Sequence, residues 1–316
     1  MLTSKMIKEA ALAAGADACG IGPMSRFDGA PDEMNPQFLF PEAKSVIGFV
    51  FRIPRGVQRG IEEGTQFYQY PSMAYGGINE IFAPAVLYQV GKVIEDEGYT
   101  ALPQRRHQQI MKEENSTNPE VAYDAVYRRK DAETQIDFLD TAIKCGLGEK
   151  GFHNALLTDE FGPMVRYCFI LTDAEIEESE IVKPHLCDKC GECKKACPGG
   201  AIADDGMVEP WQCAVYYNGA NGTKNPFMGP DAFEDLENRI EIIAGEAEVT
   251  PETAREILDR IYFYPPAQHA YQCSICGRAC DIGCYIHLEE KGVLTKKFKT
   301  PFRKREEWRF DIDSFR

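Results

Sequence analysis

The sequence predicts an α/β (α+β) protein. We expect an α/β sandwich over residues 1–180, a smaller cysteine-rich domain over residues 181–290 and a tail over residues 291–316. Two observations predict this organisation. In the first part, apolar runs of strand length alternate with amphipathic helical patterns, which is typical of helices packed on a sheet. In the second part, nine of the 12 cysteines follow residue 186.

The first elements are a helix and two strands. A helix is predicted over residues 3–16, ended by Gly15, and a short strand over residues 18–21. Residues 45–51 form a continuous apolar run, which suits a central strand. Residues 52–77, rich in Gly, Tyr and Arg, predict a long functional loop. Three tyrosines of this loop are candidates for lining a substrate cavity: Tyr68, Tyr70 and Tyr75. The open alternative is that they simply pack against other residues.

The later elements are predicted from the same patterns. Helices are expected over residues 78–97 and 133–144, and strands over residues 154–157 and 165–171. The acidic residues 173–180 predict the domain boundary. An insertion over residues 214–272 predicts two helices, at 231–244 and 250–262. The second of these begins with the N-cap Thr250 and with Pro251 at the first helical position.

The first cysteine run has the spacing of bacterial ferredoxins, C-x2-C-x2-C-x3-C-P, which predicts a [4Fe–4S] ligand set. In such runs the fourth cysteine serves the other cluster. A lone cysteine and a C-x2-C-x3-C run then complete a second set, split by the insertion. We expect the first cluster on Cys187, Cys190, Cys193 and Cys280. We expect the second on Cys197, Cys213, Cys273 and Cys276.

Zinc is the alternative, because C-x2-C pairs also make tetrahedral zinc sites. The third cysteine at x2 and the C-P step favour iron and sulfide. Cys284 follows Cys280 by four residues, so it is either a spare thiol, which we favour, or a replacement ligand. The other cysteines lie in apolar surroundings and predict small core residues: Cys19, Cys145 and Cys168.

Composition limits the function classes. The net charge of −15, from 50 acidic and 35 basic residues, argues against a nucleic-acid partner. The sequence shows no apolar run of membrane-spanning length and no secretory signal, so we expect a cytoplasmic protein with no membrane partner. The basic residues 296–309 are interleaved with aromatics, which favours a tail packed on the core over an RNA or carrier-docking strip.

Several segments resemble the superfamily of corrinoid-dependent reductive dehalogenases and epoxyqueuosine reductases. The most specific is the glycine turn that runs from Gly146 through Phe161-Gly162-Pro163 to Arg166. Gly15-Ala-Asp17 and the segment Trp211-Gln-Cys213 resemble other parts of the superfamily, and the resemblance covers roughly residues 10–285. It is closer to a short dehalogenase-like protein than to the tRNA-modifying enzymes.

The resemblance implies a nitroreductase-like domain that binds base-off cobalamin and receives electrons from two [4Fe–4S] clusters. It implies an oxidoreductase that reductively cleaves a small-molecule substrate, with ferredoxin or flavodoxin as low-potential electron donor. A proton donor is expected at Tyr127 or Asp131, with a solvated loop as the open alternative. Residues expected to contact the corrinoid are Gly148, Gly151, His153, Asn154, Gly162 and Arg166.

Two other functions stay open. One is a corrin-free electron-transfer protein that serves a partner enzyme. The other is an epoxyqueuosine-reductase-like enzyme that modifies tRNA. His153 has the further alternative of a purely structural histidine, and Arg166 that of a salt bridge at a strand edge.

Overall fold

The computed structural model describes residues 2–31, 34–105, 136–261 and 274–316. The chain divides into two compact units whose segments alternate along the sequence. The first unit contains Met1–Arg52, Ile78–Glu149 and Arg166–Lys183. The second contains Ile53–Gly77, Lys150–Val165 and Pro184–Arg316. The sequence predicts contiguous domains, whereas two early segments here group with the cysteine-rich part.

Four of the six strands in the described residues lie at predicted positions, whereas the third and the fourth along the chain were not predicted. They are β1 (Ala18–Pro23), β2 (Ser45–Arg52), β3 (Ala101–Gln104), β4 (Glu149–Lys150), β5 (Leu156–Leu157) and β6 (Val165–Thr172). Four of them form one sheet in the order β1-β2-β6-β3. In this sheet β1 pairs antiparallel with β2, and β3 with β6. All of β6 and all of β2 except Arg52 are buried, as continuous apolar runs predict.

In the described part of the first unit, the α-helices are α1 (Ser4–Ala14), α2 (Pro36–Leu39), α4 (Ala83–Asp96) and α5 (Phe138–Lys144). The Thr3 hydroxyl accepts the Met6 N–H at 3.2 Å at the start of α1. Gly15 ends the helix in the left-handed conformation, with φ 110°. Asp137 caps α5 in the same way as Thr3 caps α1. The helix predicted over residues 3–16 is therefore confirmed, and α1 packs against α4.

The predicted loop over residues 52–77 is wrong in part. This segment contains α3 (Arg55–Glu62) and the first part of a π-helical stretch, Tyr70–Phe82, that leads into α4. The buried side of α3 carries only two large apolar side chains, Val57 and Ile61, beside the polar Gln58 and Glu62. Its period was therefore difficult to recognise from the sequence.

Among the residues that the structure describes, the second unit contains α3 and five later α-helices. These are α6 (Glu192–Lys195), α7 (Pro210–Tyr217), α8 (Arg239–Ala244), α9 (Pro251–Leu258) and α10 (Ala279–Glu290). The helix expected over residues 231–244 is shorter than predicted. The Arg239 guanidinium donates hydrogen bonds to the Pro230, Ala232 and Phe315 carbonyls, so these oxygens are satisfied without a helix. Thr250 and Thr253 form the capping box of α9.

The last residues of the chain contact the rest of the second unit through aromatic rings. The buried Phe302 ring lies 5.6 Å from the ring of Tyr285. The Trp308 indole donates to the Ile61 carbonyl at 2.9 Å. Basic side chains of this segment form ion pairs with glutamates: Arg303 with Glu62, Arg305 with Glu63 and Arg309 with Glu307.

A search of the described part of the chain finds no helix that is both long and apolar enough to span a bilayer.

Candidate metal centre

The first cysteine run lies in a loop that leads into α6. Gly191, with φ 83°, precedes α6, and Cys193 is buried inside it. The Cys187 sulfur accepts the Phe152 N–H at 3.3 Å. The Asp188 carboxylate accepts the Cys190 N–H at 3.2 Å. These backbone bonds hold the loop in a fixed conformation.

The remaining described cysteines of the predicted sets surround a cavity. Two of them accept backbone hydrogen bonds at sulfur: Cys197 from the Ala201 N–H at 3.3 Å, and Cys276 from the Ala279 N–H at 3.4 Å. Backbone N–H groups aimed at sulfur stabilise thiolates and tune the potential of an iron–sulfur cluster. Cys273 lies outside the described residues. The cavity lining includes Cys197, Cys213, Cys276, Cys280, His153 and Arg278.

A buried ion network lies beside these sulfurs. The His153 Nε2 atom is 2.9 Å from Asp281 Oδ1, and Arg278 Nη2 donates to the same oxygen at 2.9 Å. Arg278 Nε pairs with the other carboxylate oxygen. Burial alone would raise the pKa of Asp281, but the Arg278 charge and the hydrogen bonds from His153 and Arg278 hold this pKa well below its ordinary value. Asp281 is therefore a fixed anion.

Burial controls the protonation of the cysteines. It raises the pKa of Cys193 to about 11 and that of Cys276 to about 12. Without a metal these thiols would be neutral at pH 7. A bound cation or cluster would take them as thiolates, so metal binding at this site would release protons. The donor set of sulfurs fits iron and sulfide, and three backbone N–H groups already point at sulfur.

The sequence-predicted site residues have different surroundings. Tyr127 and Asp131 lie outside the described residues. His153 is buried and lines the cavity that the cysteines surround. Asn154 is exposed and has φ 55°, which a turn requires. Arg166 is buried in β6.

The three predicted glycines are all buried, and two of them face the chain's own side chains. A Cβ on Gly151 would lie 3.1 Å from Leu157 Cγ, and one on Gly162 would lie 3.2 Å from Leu288 Cδ1. Close packing of the protein therefore explains these two glycines. The role of Gly148, Gly151 and Gly162 at a corrinoid stays a prediction.

The tyrosines of residues 52–77 also differ in exposure. Tyr70 is completely buried in the π-helical stretch, whereas Tyr68 and Tyr75 are half-buried.

The sequence interpretation missed the ion network. Asp281 and Arg278 lie three residues apart in the last cysteine run, a spacing that places the two side chains on one side of a helical turn. An Arg-x2-Asp pair inside a cysteine run was the available signal. The backbone N–H donors to sulfur have no sequence signal, because any residue type can supply them.

Comparisons with known proteins identify relatives of two kinds. The tetrachloroethene reductive dehalogenase of Dehalobacter restrictus is 35% identical over 83 residues, which cover 24% of this chain and 15% of that protein. The epoxyqueuosine reductase of Listeria monocytogenes is 31% identical over 99 residues, or 31% of this chain and 25% of that protein. No family model matches the chain.

The chain is thus similar over part of its length to reductive dehalogenases and to epoxyqueuosine reductases. The match to each relative spans well under half of the relative's length. Solved structures of both kinds are similar too. An epoxyqueuosine reductase crystallised with a tRNA stem loop has TM-score 0.47 at 14% identity, covering 92% of this chain and 82% of that one. A catabolic reductive dehalogenase has TM-score 0.48 at 15% identity, covering 87% and 35%.

Proposed function

We propose that this protein is a member of the superfamily of reductive dehalogenases and epoxyqueuosine reductases, and that it is an oxidoreductase. It would use iron–sulfur clusters and cobalamin to cleave a small-molecule substrate reductively. One observation supports the iron–sulfur part of the proposal: a cavity is lined by Cys197, Cys213, Cys276 and Cys280. Backbone N–H groups donate hydrogen bonds to two of these four sulfurs. The cobalamin part is suggested by the sequence similarity to reductive dehalogenases, a class of enzyme for which B12-dependent dehalogenation is described.

When bound, two [4Fe–4S] clusters would supply single electrons, and a base-off corrinoid would supply the reducing centre. The chain's own residues hold the ligand sulfurs in place. The N–H groups of Phe152, Ala201 and Ala279 stabilise negative charge on sulfur. The Arg278 guanidinium, anchored by Asp281, places a positive charge at the same cavity. A positive charge near a cluster stabilises the reduced form, which is the more negative one, and therefore raises the reduction potential of the cluster.

The leading test is anaerobic reconstitution with iron, sulfide and hydroxocobalamin, followed by gel filtration. The proposal expects about eight irons per chain and co-elution of a corrinoid whose EPR spectrum lacks the lower-base signature. Clusters without retained corrinoid would instead identify the corrin-free electron-transfer protein. We propose a low-potential ferredoxin or flavodoxin as electron donor, and reduction of the clusters by either one tests this.

The second candidate is an enzyme like the epoxyqueuosine reductases. The Listeria relative and the structural neighbour crystallised with a tRNA stem loop favour it. The net charge of −15 and the glutamate partners of Arg303, Arg305 and Arg309 weigh against a basic tRNA surface in the tail. Stoichiometric binding of tRNA at physiological salt would support this candidate. Absence of binding would support the small-molecule substrate.

A further inference from the structure

Two cysteines of α10 lie one helical turn apart. Cys280 and Cys284 are separated by four residues, so both project from the same side of the helix, about 5–6 Å apart along its axis. His287 and Lys291 continue this side of the helix at the next turns. The residues that surround each turn of α10 therefore determine with which other cysteines Cys280 and Cys284 can bind a cluster.

The later turns of α10 contact the first cysteine run. The His287 Nε2 atom lies 3.0 Å from Asp188 Oδ2, and Lys291 Nζ donates to the same oxygen at 2.9 Å. Asp188 follows Cys187 directly. The ligand atoms of Asp188, Cys190 and His287 all lie within 4.8 Å of one another. Cys284, one turn before His287, is therefore close to this run.

The packing of Gly283 shows more closely which residues of the first cysteine run lie beside Cys284. A Cβ on Gly283 would lie 2.9 Å from the Glu192 carbonyl oxygen and 2.8 Å from Ala196 Cβ. The backbone of α10 thus rests directly on α6 at this turn, an approach that only glycine permits. Glu192 precedes Cys193 in α6, just as Gly283 precedes Cys284 in α10. The two cysteines therefore follow the two residues at which the helices touch.

Cys280 has a different set of neighbours. It lines the cavity that also contains Cys197, Cys213 and Cys276. Its sulfur lies within 4.8 Å of both a His153 ring nitrogen and an Asp281 carboxylate oxygen.

Electrostatics agree with this grouping. Burial raises the pKa of Cys284, and after Asp281 the largest further contributions come from Cys193, Cys187 and Cys190. Burial also raises the pKa of Cys280, where the contributing cysteines are Cys276 and Cys197 instead.

We infer that Cys284 is the fourth ligand of the first cluster, with Cys187, Cys190 and Cys193, and that Cys280 completes the second set with Cys197, Cys213 and Cys276. This inference rests on the proposed function and deepens it. It replaces the ferredoxin-like expectation that Cys280 serves the first cluster. Since four described cysteines complete each set, Cys273 becomes the ninth, dispensable thiol.

The test uses the full-length protein, purified and reconstituted anaerobically, with iron, acid-labile sulfide and the EPR spectrum of the reduced protein as readouts. Cys284→Ala should lose about half of the iron, or convert one cluster to a three-iron form. Cys273→Ala should keep all of it. The buried Cys168→Ala is the matched control for losing a core thiol, and circular dichroism establishes that each variant is folded.

Paired variants identify the cluster that Cys284 serves. Cys284→Ala combined with Cys193→Ala should still retain about four irons, those of the second cluster, because both changes affect the first cluster only. Cys284→Ala combined with Cys276→Ala should lose both clusters. If Cys284→Ala misfolds, Cys284→Ser, which keeps the size of the side chain, should fold and show an altered EPR signal from one cluster only.

The outcomes separate the two proposals. A wild-type protein that binds no iron–sulfur cluster overturns the proposed function and this inference with it. A wild-type protein with about eight irons, whose folded Cys284→Ala variant retains all of them with an unchanged spectrum, overturns the inference alone. Loss of iron in Cys273→Ala would likewise show that the second set needs Cys273.

Discussion

Replacing Asp281 by Asn tests whether the buried ion network stabilises the second unit. The side chain of Asp281 is 1% exposed and that of Arg278 is 27% exposed. Asn keeps the shape of the side chain but leaves the Arg278 guanidinium without its carboxylate partner. Removing one member of a buried pair costs about 3–5 kcal/mol. Because Arg278 keeps some solvent contact, we expect the lower end, about 3 kcal/mol, or roughly a hundredfold shift in the folding equilibrium.

The assay is anaerobic urea unfolding, with wild type and variant at equal iron content and with fluorescence and circular dichroism recorded together. Asp235→Asn is the matched control. Asp235 also pairs with an arginine, Arg260, at 2.7 Å, but its side chain is 62% exposed, so its loss should change stability little. The reasoning is refuted if Asp281→Asn destabilises the protein no more than Asp235→Asn does.

Three further predictions concern packing, thiol chemistry and the metal. Phe302→Ala should destabilise the second unit by about 3–5 kcal/mol, because the ring is 1% exposed, whereas Phe38→Ala, at 50% exposure, should have little effect in the same unfolding assay. Burial raises the pKa of Cys19 to about 12. Mass spectrometry should therefore show that Cys19 in the folded protein is alkylated at pH 8 about a thousandfold more slowly than an ordinary thiol, and that the rate rises about tenfold per pH unit. A rate that does not change with pH would contradict the raised pKa. Removal of iron by oxidation and chelation should lower the unfolding midpoint, because the metal binds only the folded state, and an unchanged midpoint would argue against a structural metal centre.

The sequence predicted those elements in which one strong pattern dominates. The strands β2 and β6 are continuous apolar runs, and α1 has both a threonine N-cap and a glycine end. The α3 helix was missed because only two large apolar side chains, Val57 and Ile61, mark its buried side. The sequence predicted α8 to be longer than it is. The Arg239 side chain, and not helical N–H groups, donates hydrogen bonds to three nearby carbonyls. Periodicity carries no information about such tertiary hydrogen bonds.

The candidate site shows the same division. The cysteine spacing predicted that these cysteines lie close together, but it did not show which cysteine belongs to which of the two ligand sets. That depends on the continuity of α10, which places Cys280 and Cys284 on successive turns, and on the contact of Gly283 with α6. Both are properties of helix packing between residues about 90 positions apart in the sequence, so local spacing could not determine them.

The most direct test of the account is the metal content of the wild-type protein after anaerobic reconstitution. We expect about eight irons and about eight acid-labile sulfides per chain, with EPR signals from two interacting [4Fe–4S] clusters on reduction. A protein that instead binds one or two zinc ions without sulfide, or fewer than about six irons, would contradict the proposal that this chain carries electrons through paired clusters.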